Sequence, residues 1–269
     1  MHDHSFHHST YGSFGDWIPL LILFLVSMLY GFGWLHSNNK GNWSTIRGIS
    51  FLGGMILLSI AMWPDLVMWA HHDLRGHMVQ HLLIGMFAPI FLVLGAPITM
   101  ALKTCSRNIA KGITYILRSS FFHFISHPFT AMLLNIGGMY VLYLTPVYNF
   151  TFDYPILHHA IHIHFLLAGY LFTWAIIGPD PAPKRPRLNM RLIVLFISIA
   201  AHAFLSKLMY AHLYPLNSPH GTAEIQEAAK LMYYWGDLSE LILIIILFSL
   251  WYKKRGRPGY DLSPLFKWT

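Results

Sequence analysis

The stretch HMVQHLLIGMFAPIFLVLGAPITMA, residues 77–101, decides the fold. It carries no Asp, Glu, Lys or Arg, and a helix of about twenty apolar residues is enough to cross a hydrocarbon core about 30 Å thick. Six further segments share its character: 17–35, 48–64, 128–145, 157–178, 189–209 and 235–252. The connections are punctuated, as in Gly178-Pro179-Asp180-Pro181-Ala182-Pro183, where proline stops a helix. The expected fold is therefore all-α, a polytopic membrane protein with seven transmembrane helices over 17–252. A His-rich external tail (1–16) and a basic cytoplasmic tail (253–269) flank that single domain. Within the deciding stretch, Pro89 and Pro97 remove backbone donors and predict a bent or loosened helix. Gly137, Gly138 and Gly169 predict close helix approach in spans four and five.

Composition points the same way. Of 269 residues, 55% are hydrophobic and only 11% charged, against roughly 25% charged in soluble globular chains. So few charges cannot cover a water-soluble surface, which argues against a soluble enzyme. The single cysteine, Cys105, excludes an intramolecular disulfide and any Cys-x-x-Cys motif. The first apolar run follows histidines and an aspartate, with no basic n-region, so it reads as a retained span.

The net charge of +7 might suggest nucleic acid, but its placement explains it otherwise. The connections 36–47, 102–127 and 179–191 and the tail from Lys253 hold 2, 4, 4 and 5 Lys/Arg. The amino-terminal segment and the connections 65–76, 146–156 and 210–234 hold 0, 1, 0 and 1. Basic residues accumulate on the cytoplasmic side, so the N-terminus is expected outside and the C-terminus in the cytoplasm. The clusters Lys184-Arg185-Pro186-Arg187 and Lys253-Lys254-Arg255 then serve as anchors at lipid headgroups, and no nucleic-acid partner is expected.

On this topology the 18 histidines segregate, with only His36, His123 and His127 on the cytoplasmic side. His77 and His81 open span three, four residues apart, so their rings project from one helix face about 40° apart. His158 and His162 repeat the spacing at the mouth of span five, with His159 alongside, and His202 lies in the outer part of span six. Two such pairs on facing helices can surround one transition metal, with His202 as a fifth nitrogen. Met209, near the face of His202, and Met78 and Met232 are candidate thioether donors, and sulfur would favour Cu(I) over zinc. Each methionine equally suits core packing. His71, His72 and the histidines of the N-terminal tail can be merely solvated, and His164, His212 and His220 are read as non-ligands.

Span seven adds Asp237 and Glu240, neighbours on one face. Charges within a span are costly and are usually functional or paired. Either they accept hydrogen bonds from the ligand imidazoles, or Lys207 of span six neutralises Glu240.

These residues resemble a known family. His77-Met-Val-Gln-His81-Leu-Leu, running on to Pro89 and Leu94-Gly-Ala-Pro97, is similar to the signature of the bacterial cytochrome c oxidase assembly factor CtaG family, the seven-helix kind. His158-x-x-x-His162-x-x-Phe165-Leu-Leu-Ala-Gly169-Tyr-Leu-Phe172 resembles its second block, and Trp235-Gly236-Asp237-Leu-x-Glu240-Leu its third. The chain departs from the family before the last helix, where it reads Glu224-Ile-Gln226-Glu227, and in span three, where Ala88-Pro89 replaces a proline pair.

The resemblance implies an assembly factor of the respiratory chain in the bacterial plasma membrane. Its partner would be a haem-copper terminal oxidase subunit, and it would act as a chaperone that supplies copper. The matching positions are His77, His81, His158, His162, Asp237 and Glu240. Two other functions fit the spans and histidines: an intramembrane zinc hydrolase with Asp237 or Glu240 as general base, and a b-type haem protein with axial histidines. Against the hydrolase, span seven has no histidine.

Overall fold

The computed structural model describes residues 17–38, 43–181 and 185–255, and every regular element in it is helical. The N-terminal tail and most of the C-terminal tail lie outside the described residues. The chain runs through α1 (Ile18–Asn38), α2 (Thr45–Ala61), α3 (Pro64–His72) and α4 (Leu74–Leu82). A π-helical turn (Leu83–Phe87) joins α4 to α5 (Ala88–Leu94). Then follow α6 (Pro97–Thr104), α7 (Arg107–Arg118), α8 (Ser120–Ile125), α9 (Pro128–Leu144) and α10 (Val147–Asp153). Three long helices close the bundle: α11 (Pro155–Ile177), α12 (Leu188–His212) and α13 (Thr222–Arg255).

Five helical stretches are long and apolar enough to cross a membrane. Two bent pairs bring the number up to seven: α2 with α3, which meet at 53°, and α9 with α10, at 73°. Prolines explain both breaks: Pro64 and Pro146 stand at the joints and cannot donate to the preceding turn. The outward faces are apolar. On α1, Leu29 and Phe32 are 73% and 75% exposed, a surface stable only against lipid.

Two apolar clusters hold the bundle. The larger joins α4, α9, α11, α12 and α13 and contains Leu74, Met139, Phe172 and Leu205. The smaller seats α1 and α2 on the π turn, α5 and α6. There Tyr30 stacks on Phe51 with ring centroids 3.8 Å apart and donates to the Gly95 carbonyl at 2.7 Å.

Span three differs from its expected limits. It starts at Leu74 and ends at Leu94, because Ala96 takes a left-handed conformation (φ 50°) and Pro97 starts a new helix. The last helix begins at Thr222, well before the expected 235. Its first turns are amphipathic, burying Ile225, Ala228 and Ala229 while Glu227 and Lys230 face out. The basic connection 102–127 is also helical. In α7, Arg107, Lys111 and Arg118 share one face and the exposed Ile109 and Ile116 the opposite one, the pattern of a helix lying in an interface.

At the end opposite the histidines, Arg47, Arg185, Arg187, Arg191 and Lys253 line one cavity of about 520 Å³. Asp180 steadies this end. Its carboxylate accepts from the Thr99 backbone N–H at 2.8 Å and the Thr99 hydroxyl at 2.5 Å, capping α6 from a distant loop. Burial pushes the Asp180 carboxyl above its usual range, opposed by the Thr99 hydrogen bonds.

Candidate metal centre

The site is built on the start of α4. Asp73 caps the helix, accepting from the Arg75 backbone N–H at 2.8 Å. The hydrogen-bonded Arg75 guanidinium holds the Asp73 carboxyl down at about 2. A second carboxylate, Glu224 of α13, accepts from the Leu74 N–H at 2.5 Å and also pairs with His220 Nδ1 at 2.5 Å. His220 Nε2 in turn lies 2.8 Å from the Tyr148 hydroxyl, and the Tyr148 ring stands edge-on to His77 at 5.3 Å. Glu224 thus ties α13 to the helix that carries His77 and His81. Glu224→Ala is expected to cost about 1–3 kcal/mol, the loss of a charge-assisted bond to a helix N-terminus. Thermal unfolding in detergent reads this, and an unchanged midpoint would mean that the bond contributes nothing.

The histidines form two groups. In the first, His158 and His162 of α11 meet with ring centroids 4.3 Å apart. His77 of α4 faces His162 at 6.3 Å. Two imidazoles gripping one ion from opposite sides, with bonds of about 2.0 Å, would stand at about that separation. His71, at the end of α3, stacks on His158 at 4.4 Å. A cavity of about 760 Å³ opens onto this group, reached by His71, His158, His159 and His162. His159 is exposed, and its ring is 5.9 Å from that of His158. His71, read from the sequence as a loop residue that can be merely solvated, belongs to the group.

His81 belongs elsewhere. One turn along α4 from His77, its Nε2 stands 2.9 Å from Met139 Sδ of α9. The ring of four histidines expected from helix spacing is thus split between two levels. His202 lies beside Asp237 and Glu240 of α13, with one ligand atom from each within 4.8 Å of the others. That trio is the one set of three or more His, Cys, Asp or Glu groups so close together among the described residues. Glu240 is 3.5 Å from the Ser198 hydroxyl. Lys207 is exposed, with its ammonium 5.5 Å from the Tyr233 ring, and makes no ion pair with Glu240 among the described residues. The expected neutralisation is not formed.

The remaining candidates are core residues: Met78, Met209 and Met232 are fully buried in the larger apolar cluster. Met139, which sequence reasoning missed, places its sulfur 2.9 Å from His81 Nε2. A lone methionine in an apolar span has no signature that separates ligand from packing. His164 hydrogen-bonds the Leu134 carbonyl at 3.1 Å, away from both groups.

The donors present suit transition metals. His77 Nε2, His81 Nδ1, both ring nitrogens of His202, Asp237 Oδ1 and Glu240 Oε2 are buried with no hydrogen-bond partner among the described residues. Buried polar atoms are nearly always paired with protein, water or a ligand, so these donors are available to an ion. The first group offers imidazole nitrogen, His81 adds a neighbouring thioether, and the trio offers one nitrogen with two carboxylates.

A family model described as cytochrome c oxidase caa3 assembly factor matches residues 28–254. Among curated proteins, the chain is 34% identical over 183 residues to uncharacterized proteins of Mycobacterium leprae and Mycobacterium bovis. Those alignments cover 65% of this chain but 28% of each relative, so the chain spans little more than a quarter of their length. No solved structure matches.

Proposed function

This chain belongs to the cytochrome c oxidase caa3 assembly factor family, and from that premise we propose that it holds copper at its histidine end for delivery to the oxidase. The observation that carries the reading is the grouping of His77, His158 and His162 from two helices: His158 and His162 line an open cavity, and the buried His77 Nε2 has no hydrogen-bond partner among the described residues. Neutral imidazole is a good ligand for copper, and the His81–Met139 pair one turn deeper adds the soft sulfur that Cu(I) prefers.

The five basic residues around the cavity at the opposite end support a cytoplasmic placement for that end. The histidine cavity then opens on the outer face of the bacterial plasma membrane. Copper would pass to a terminal oxidase subunit by exchange of ligands, without a change of oxidation state. His71 and His159 at the cavity mouth are suited to accept the ion first or to release it last.

The test is Cu(I) binding to protein purified without a polyhistidine tag. Wild type is expected to hold about one copper per chain. His77→Ala with His162→Ala, removing one ring from each helix, is expected to lower that occupancy to background. Full copper retention in a folded double variant would sink the reading, and a Soret band in the purified protein would replace it with haem binding.

A further inference from the structure

We propose that His202, Asp237 and Glu240 form a separate, buried site for a divalent cation of the zinc class. This inference stands on its own observations and does not need the copper reading. The site exists because α12 and α13 cross at Gly236: a Cβ there would lie 2.0 Å from His202 Cε1. Only glycine at this position lets the imidazole into the helix interface. Once there, the ring is 0% exposed, and neither of its nitrogens has a hydrogen-bond partner among the described residues. A buried imidazole with both nitrogens idle forfeits hydrogen bonds that water would have supplied, unless it has a ligand.

The carboxylates raise the same question. Asp237 Oδ1 and Glu240 Oε2 are buried atoms without hydrogen-bond partners among the described residues; Glu240 is 3% exposed, and Asp237 as a whole is half-buried. Two carboxylates inside a span need a compensating charge. Lys207 does not supply it at contact distance; it acts on Asp237 only at longer range. A divalent cation balances two carboxylates and uses the idle imidazole in one step.

The donor set selects the ion. One nitrogen and two carboxylate oxygens suit zinc, manganese or ferrous iron, and with no sulfur the set does not favour Cu(I). In a tetrahedral site with bonds of about 2.1 Å, ligand atoms stand about 3.4 Å apart. Ligand atoms already within 4.8 Å of one another have to close by at most about 1.4 Å to reach that spacing. A cavity of about 20 Å³, bounded by Glu240, Asn135 and Ser239, adjoins the site. It is large enough for one water as a fourth ligand.

The probe is Co²⁺, which substitutes for zinc and absorbs visible light. Protein purified without a tag, stripped of metal and reconstituted in nanodiscs is titrated with Co²⁺, then again after loading with Cu(I). About one Co²⁺ per chain is expected to bind once Cu(I) has filled the first histidine group, because the trio's nitrogen and carboxylate donors do not favour Cu(I). Asp237→Asn with Glu240→Gln, near-isosteric changes, is expected to weaken Co²⁺ at least about tenfold. In wild type alone, Zn²⁺ should shift the carboxylate stretches in an infrared difference spectrum, a readout that survives if the double variant fails to fold. No Co²⁺ bound, Co²⁺ displaced by Cu(I), unchanged affinity in the double variant, or no carboxylate shift would each overturn the proposal. Loss of Cu(I) binding with Co²⁺ binding intact would overturn the copper reading alone.

Discussion

Gly169→Ala is expected to leave little folded protein. A Cβ on Gly169 would lie 2.0 Å from the Gly85 carbonyl oxygen and 2.9 Å from its carbon. Both atoms are backbone, so no side chain can rotate out of the way. The contact follows from the chain chemistry of span three. Pro89 has no N–H to offer the Gly85 carbonyl, the bond an α-helix would make. The helix widens into the π turn at Leu83–Phe87, with the Ala88 N–H reaching back to Leu83. The Gly85 carbonyl is then turned against Gly169 of α11, where only a hydrogen fits. Adding a methyl must push α11 away from α4, a strain of about 3 kcal/mol or more.

His77 and His81 lie on one side of that contact, and His158 and His162 on the other. Separating the helices therefore also opens the histidine group, and copper retention should fall with the melting point. Gly112→Ala is the control, since a Cβ there meets nothing within 4 Å. Equal melting points for Gly169→Ala and wild type would show that the helices do not meet as described.

The division of the histidines shows what sequence alone could and could not give. Apolar length located the five long spans and both bent pairs, because hydrocarbon thickness imposes a minimum on every span. Helix periodicity put His77 and His81 on one face. It did not tell that a rise of about 6 Å over four residues is enough to give the two rings different neighbours, His162 for one and Met139 for the other. Which neighbour each meets depends on how α9 and α11 pack against α4, and no local pattern records that. The end of span three was hidden for a similar reason. Ala96 adopts a left-handed conformation that alanine has no intrinsic preference for, held by packing in which Ala96 is fully buried. Of the two alternatives for Glu240, the pair with Lys207 is not formed among the described residues, because sequence distance fixes the turn a residue occupies but not the direction its side chain takes. Lys207 faces outward over Tyr233, while Glu240 faces inward toward Ser198. Gly236 was legible as part of a block, but its role as the recess for the His202 ring required both helices.

Met139→Leu is expected to weaken Cu(I) binding at least about tenfold, or about 1.4 kcal/mol, while Co²⁺ binding at His202, Asp237 and Glu240 stays unchanged. The Met139 thioether is fully buried against His81 Nε2 at 2.9 Å. Leucine keeps nearly the same volume and apolar character, a swap that usually costs less than about 1.5 kcal/mol of stability. Met139→Ala would be a poorer test, since a cavity in this core costs about 2–5 kcal/mol and would move His81 as well. What leucine removes is the sulfur alone. Cu(I) is soft and gains from a thioether, whereas zinc binds nitrogen and oxygen donors without it. A competition titration against a Cu(I) chelator measures the first effect, and the visible spectrum of the Co²⁺ form measures the second. If Met139→Leu binds Cu(I) as tightly as wild type, the sulfur is packing, and the copper site is confined to the rings of His77, His158 and His162. If both ions are lost together, the two levels of the bundle form one site, and the separation of donors by softness does not hold.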